Sequence, residues 1–274
     1  MPPALRTTSM RRRTLLSLPA LGAVLVACGQ DGTVSEQPTS GPTGAPTGGT
    51  ETTSYGGHPS QFAELTMPAG EPRGVAVLVH GGFWKPEYGI EYATPLVPSL
   101  VAAGWATWAI EYRRGTGADD TLADVRAAIA ACPVDATPRV GIGHSAGGHL
   151  VAWAAGQDVG LTHVVSQAGV LDLVAAHEAG LGGGAVEAFL GHAPGAADAD
   201  VDPIRQVPLA VPLWCVHGRD DAIVPISQSQ AYVAAARAAG ATAQLVDVAG
   251  DHFAVVDPDS DAWARTLQLL DPLG

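Results

Sequence analysis

The chain has 274 residues, enough for one large domain or two small ones. Hydrophobic residues make up 47% and charged residues 15%, so a sizeable core can form, and wholesale disorder, a collagen repeat and a coiled coil are excluded. With 14 Lys plus Arg against 27 Asp plus Glu the formal charge is −13, which repels a phosphate backbone and excludes a general nucleic-acid binder.

In chain order, Arg6, Arg11, Arg12 and Arg13 precede the apolar run Leu15 to Ala27, and no acidic residue occurs before Asp31. That run is shorter than the roughly 20 residues a membrane-spanning helix needs, and its basic flank fits an export signal. Residues 1–27 are therefore expected to be a signal peptide that is removed. Leu25-Val26-Ala27-Cys28 resembles a bacterial lipobox, which implies a lipid-modified Cys28. Arg12-Arg13-Thr14-Leu15-Leu16 partly resembles a twin-arginine motif, so the route, general secretory or twin-arginine, stays open. An ordinary cleaved signal is the plainer alternative.

Residues 28–54 are mostly Gly, Thr, Pro and Ser with almost no large apolar side chain, so ordering them costs entropy without offsetting burial, and a disordered tether is expected. From Cys28 onward 10 basic residues face 27 acidic ones, a formal charge of −17, so acyl chains rather than attraction to anionic lipid would hold the protein to the membrane. The expected location is the cell membrane, facing away from the cytoplasm. With Cys28 acylated, Cys132 and Cys215 are the cysteines left; nothing local brings them together, and two buried thiols are expected rather than a bridge.

Residues 55–274 read as a single domain. Val75 to Val79, Trp105 to Tyr112, Arg139 to Ile142, Thr162 to Gln167, Leu213 to His217 and Thr242 to Val248 are strand-like. Between and after them, Pro95 to Ala103, Thr121 to Ala131, Ala146 to Ala155, Gln228 to Ala239 and Ser260 to Leu270 are helix-like. This alternation predicts an α/β domain, a mostly parallel central sheet flanked by helices. Residues 169–212 interrupt it with Leu181-Gly-Gly-Gly184 and several prolines, and are expected to form a lid-like insertion. No repeat of 20 to 50 residues is apparent.

Gly143-His144-Ser145-Ala146-Gly147 fits G-x-S-x-G, with a strand before it and a helix after. A serine in so sharp a turn needs small neighbours, which Gly143, Gly147 and Gly148 supply, and its hydroxyl is pushed clear of the sheet. A serine that merely caps a helix is the bland alternative. His80-Gly81-Gly82-Phe83-Trp84 follows the strand ending at Val79, and His217-Gly-Arg-Asp220-Asp221-Ala-Ile-Val-Pro225 follows another. His252 is the one histidine after Asp221, in the loop between the last strand and the last helix.

Together these segments resemble the α/β-hydrolase superfamily. The resemblance implies Ser145 as nucleophile, Asp221 as the triad acid with Asp220 as competitor, and His252 as base, in the order Ser, Asp, His. It implies an oxyanion hole from the backbone N–H groups of Gly82, Phe83 and Ala146. His80-Gly-Gly-Phe-Trp84, Glu111-Tyr-Arg-Arg114, Gly143-His-Ser-Ala-Gly-Gly-His-Leu150 and Ser166-Gln-Ala-Gly-Val-Leu-Asp-Leu173 look like the esterase branch of kynurenine formamidases, carboxylesterases and feruloyl or acetylxylan esterases. Phe83 departs from the third glycine of hormone-sensitive-lipase-type esterases. Trp84 reads equally as a substrate wall or a core residue, and Glu111, Tyr112 and Arg113 as buttresses of the oxyanion loop.

The expected activity is carboxylic ester hydrolysis through an acyl-enzyme, on a small-molecule ester. An arylformamidase, a prolyl-oligopeptidase-like peptidase and a non-catalytic binding module are the alternatives. No cofactor is expected, and no His or Cys spacing suggests a metal.

Overall fold

The computed structural model describes residues 49–274; the expected signal peptide, Cys28 and the tether as far as residue 48 lie outside the described residues. Eight strands form one sheet: β1 (Glu51–Ser54), β2 (Phe62–Thr66), β3 (Val75–Val79), β4 (Ala106–Ile110), β5 (Arg139–His144), β6 (His163–Gln167), β7 (Leu213–Gly218) and β8 (Ala243–Val248). Seven α-helices accompany it: α1 (Val97–Ala102), α2 (Ala118–Ala130), α3 (Ala146–Ala155), α4 (Leu173–Glu178), α5 (Ala185–Leu190), α6 (Ser227–Ala238) and α7 (Asp261–Leu270). The strand order is β1-β2-β4-β3-β5-β6-β7-β8. β1 and β2 run antiparallel at one edge, and β4 to β8 together with β3 run parallel.

All five residues of β3 are buried, as a strand covered on both faces requires. Its side chains alternate between two cores: Val75, Val77 and Val79 join the core with Val125 and Ile129 of α2, Leu150 of α3 and Tyr232 of α6. Ala76 and Leu78 join the opposite core with Leu100 of α1 and Trp263 and Leu270 of α7. Each fully buried aliphatic side chain contributes about 1.5–3 kcal/mol, so this two-sided burial fixes the register of the central strands. The chain leaves β3 toward β4 on one side and returns to β5 on the other. The crevice between the carboxyl ends of β3 and β5 is the place where such sheets bind ligands.

Two features depart from the sequence reading. The sheet begins at Glu51, inside the stretch expected to be tether. All four β1 side chains are exposed, so the strand leaves no hydrophobic signature and exists through its backbone pairing with β2. The insertion at 169–212, which shows no regular pattern in the sequence, contains α4, α5 and three short 3₁₀ turns. Cys132 and Cys215 are both free, Cys215 buried and Cys132 half-buried. Among the described residues, no helix is long and apolar enough to cross a membrane.

Candidate active site

The turn after β5 places Ser145 at φ +55°, ψ −118°, a left-handed conformation that a residue with a side chain rarely adopts. Close packing leaves no choice of neighbours. A Cβ on Gly143 would collide with the carbonyl of Gly147, and one on Gly147 with the carbonyl of Val79. The Ser145 N–H is tied to Gln167 O at 2.8 Å, which locks the elbow to β6.

The turns after β7 and β8 carry the candidate acid and base, Asp221 and His252. The fully buried carboxylate of Asp221 accepts from His252 Nδ1 through Oδ2 at 2.7 Å. Its Oδ1 accepts the N–H groups of Ile223 and Val224 at 2.9 and 2.8 Å. Burial works against the charge of Asp221, but hydrogen bonds from His217, His252 and the Val224 N–H outweigh it and hold the carboxyl below the usual range. Asp220 is exposed, and Arg219 pairs with Asp247 at 2.6 Å, so of the two candidate acids it is Asp221 that meets the imidazole.

Ser145 and His252 line one cavity of about 230 Å³ together with Gly81, Gly82, Phe83, Tyr88, Tyr92, His144, Ile223 and Phe253. Ser145 Oγ makes no hydrogen bond among the described residues, so the Asp–His link is formed and the Ser–His link is not. Hydrogen bonds of this kind often close only when substrate is bound. His144 Nε2 donates to the carbonyl of His252 at 2.9 Å and so fixes the backbone of the base. Burial, and next the neighbouring His252, push the His144 imidazole down to about 3, which keeps it neutral.

Facing this pair is the loop after β3. Gly82, Phe83 and Trp84 all have positive φ, at +110°, +52° and +55°. Gly82 has no room for a Cβ because the Tyr88 side chain lies against it. No acceptor among the described residues is bonded to the N–H of Gly82, Phe83 or Ala146. Gly82 and Phe83 line the cavity; Ala146 is fully buried at the start of α3 and is not among the lining residues.

The strain in this loop is held by a buried polar cluster. Glu111 Oε2 accepts the Ile90 N–H at 2.9 Å, and Oε1 accepts the Tyr112 N–H at 2.8 Å and lies 3.1 Å from His80 Nε2 and against the Arg114 guanidinium. Tyr112 stacks on His80 at 4.4 Å and its hydroxyl donates to the His80 carbonyl. Glu111 and Tyr112 are thus the buttresses expected. Arg113 is not one: it forms a bidentate pair with Asp124 of α2, and Arg114 takes its place beside Glu111.

The insertion supports the oxyanion loop from behind rather than roofing the cavity, since none of the lining residues comes from 169–212. Lys85 Nζ donates to Gly182 O at 2.9 Å, the Phe83 ring meets Gly182, and Trp84 stacks on Phe189 of α5 at 4.4 Å. Trp84 is 2% exposed, which makes it a core residue and not a substrate wall.

His217 was legible only as a strand end. It lies fully buried with Nε2 at 3.2 Å from Asp221 Oδ2 and 2.8 Å from Val224 O, and Nδ1 at 2.8 Å from Ser229 Oγ. A carbonyl can only accept, so Nε2 carries a proton, and Nδ1 pairs with the Ser229 hydroxyl. The signal was its place four residues before Asp221. Among the described residues, no group of three or more His, Cys, Asp or Glu is placed to hold a metal ion.

A mostly parallel sheet with a strand–serine–helix elbow, and with carboxylate and imidazole on the last two strand ends, is the α/β-hydrolase fold. The chain belongs to the prolyl oligopeptidase family, whose profile matches residues 103–271. No curated protein matches it. Among solved structures it resembles a truncated carbohydrate esterase from gut microbiota, with TM-score 0.72 and 19% identity over 85% of this chain and 99% of that one. It also resembles a thermophilic esterase of the planctomycete Thermogutta terrifontis, with TM-score 0.66 and 24% identity over 82% and 91%. That esterase phosphonylated by sarin aligns with TM-score 0.67 and 23% identity over 82% and 93%.

Proposed function

We propose that the protein is a serine hydrolase that cleaves carboxylic esters through an acyl-enzyme. The observation that carries this reading is the 2.7 Å contact of His252 Nδ1 with Asp221 Oδ2, made on the wall of the same cavity that Ser145 lines from its strained turn. Ser145 Oγ attacks the ester carbonyl carbon while its proton passes to His252 Nε2. The alcohol oxygen then departs with that proton as the carbon–oxygen bond breaks. Water, activated by the same imidazole, attacks the acyl-enzyme and releases the acid. Asp221 keeps His252 in the Nδ1–H tautomer and stabilises the imidazolium, and the N–H groups of Gly82, Phe83 and Ala146 receive the developing oxyanion.

Family membership favours a second reading, cleavage of a peptide bond by the same residues. The full-length protein with a short-chain p-nitrophenyl ester, the matching p-nitroanilide and a fluorophosphonate probe separates the two. The ester reading expects labelling, ester turnover well above anilide turnover, and loss of both in Ser145→Ala; faster anilide cleavage would favour the peptidase. One neighbour of this fold is known phosphonylated by sarin, which supports the choice of probe.

We further propose that the enzyme is exported and held by lipid on Cys28, on the strength of the lipobox-like Leu25 to Cys28. Cys28→Ser is expected to release the full-length protein from the membrane fraction, and unchanged partitioning would end that proposal.

A further inference from the structure

Four large apolar side chains stand exposed among the described residues: Tyr88 (36%), Tyr92 (47%), Ile223 (36%) and Phe253 (52%). All four line the mouth of the cavity that holds Ser145 and His252. Elsewhere on the described surface no aromatic or aliphatic side chain of that size is left in water to this degree. No Lys, Arg, Asp or Glu joins the lining, and His144 is kept neutral there by burial. A concentrated, uncharged apolar rim on an otherwise acidic protein marks a surface that is covered when substrate is bound.

The size of the cavity divides the substrate. About 230 Å³ is below the roughly 300–1,000 Å³ of pockets that enclose a whole ligand. One half of an ester fits inside, and the other must lie across the rim.

The chemistry assigns the halves, on the ester-hydrolase reading given above. The leaving oxygen has to receive its proton from His252, so the alcohol half lies on the His252 side. There the rim consists of Phe253, next to the base in sequence, and Ile223, two residues after Asp221. Both are fixed by the catalytic loops themselves. The Ile223 N–H donates to Asp221 Oδ1 at 2.9 Å, and the Phe253 N–H to Asp251 Oδ1 at 3.0 Å. The Phe253 ring stands edge-on to that of His252, 5.3 Å between centroids. The acyl half falls opposite, against Gly82, Phe83 and Tyr88. We infer that Phe253 and Ile223 form a leaving-group wall, and that the enzyme acts on esters of a small acyl group with an uncharged alcohol bearing an apolar or aromatic face.

The test compares benzyl acetate with methyl acetate, which share an acyl group and have alcohols of similar acidity. Wild type is expected to favour the benzyl ester in kcat/KM. Phe253→Ser and Ile223→Ser are each expected to reduce the benzyl-to-methyl ratio about tenfold, the loss that follows when an aromatic face gives up its apolar partner. Phe253→Leu should keep most of the preference. Both side chains are exposed, so folding is not at stake.

A ratio unchanged in both serine variants overturns the wall. A ratio that collapses in Tyr92→Ser instead overturns the assignment of sides. Turnover of the two acetates by wild type keeps the two failures apart. If wild type hydrolyses them and the ratio does not move in the serine variants, the wall alone is wrong; if wild type hydrolyses neither acetate, the ester reading falls and takes the wall with it.

Discussion

The two loop systems that meet at Ser145 are held in place by opposite means. On the acid–base side the backbone is relaxed, and Asp221 and Asp251 anchor Ile223, Val224, Phe253 and Ala254 through N–H bonds to their own carboxylates. On the oxyanion side three consecutive residues have positive φ, and the strain is contained by Glu111 beneath and by the insertion behind. Gly82 adopts its conformation freely, but for Phe83 and Trp84 such angles cost about 1–3 kcal/mol each and persist where the surroundings over-determine them. The first side is positioned by the candidate acid Asp221 and by Asp251 within the same loops, the second by residues outside the cavity. Substitutions on the two sides should therefore fail differently.

Asp221→Asn is the largest expected effect. The amide can present its NH₂ to His252 and favour the wrong tautomer, so kcat should fall about 10⁴-fold. Because Asp221 also receives His217 and two backbone N–H groups, thermal stability should fall as well, most at neutral pH. The stability that ionised Asp221 supplies is present above the ordinary carboxyl pKa of about 4 and is lost as pH drops toward its depressed folded value. A variant with wild-type kcat would remove Asp221 from the mechanism.

Glu111→Gln probes the other side. It leaves the shape in place but takes the anion from Arg114 and turns one accepting oxygen into a donor facing other donors. Breaking a buried pair from one side costs about 3–5 kcal/mol, seen as a lower Tm. If the oxyanion loop loosens as the geometry implies, kcat should fall about 10²- to 10³-fold with little change in KM, the loss expected for one misplaced donor. A lowered Tm with intact kcat would show that the loop holds its own strain.

These two sides were unequally legible. Ser145, Asp221 and His252 announce themselves because the spacing of G-x-S-x-G and H-G-x-x-D is a property of neighbouring residues, and sequence order then picks His252 out. The central strands were legible for the same reason, in unbroken apolar runs such as Val75 to Val79. What the sequence hid depends on contacts between distant segments or on backbone alone. β1 buries no side chain. The role of Arg114 in place of Arg113 turns on which way two adjacent arginines face, and the insertion's seat behind Phe83 and Trp84 turns on packing between residues about a hundred positions apart.

His217 lies between these cases, and His217→Asn sharpens the contrast from the acid–base side. With that N–H gone, Asp221 gives Oδ2 to His252 alone, which favours the imidazolium. The acidic limb of the kcat/KM profile should move to higher pH, and kcat should drop about tenfold as the carboxylate loses one of its four holds, a change of about 1.4 kcal/mol. A fall in Tm with the limb unmoved would make His217 a packing residue.

The smallest expected effect lies in the insertion that backs the oxyanion loop. Asp202 Oδ1 accepts the Leu173 N–H at 3.0 Å, but the buried Oδ2 has no partner, and burial raises the carboxyl to about 6. The folded state therefore binds more protons than the unfolded chain between about pH 4 and pH 6, so stability falls as pH rises through that window and the penalty is complete above it. Asp202→Asn keeps the acceptor for Leu173 and removes the charge. It should raise stability by about 1–2 kcal/mol at pH 7.5 and leave it unchanged at pH 4, read as the difference in Tm between variant and wild type at the two pH values. An equal gain at both would mean that charge is not the cause.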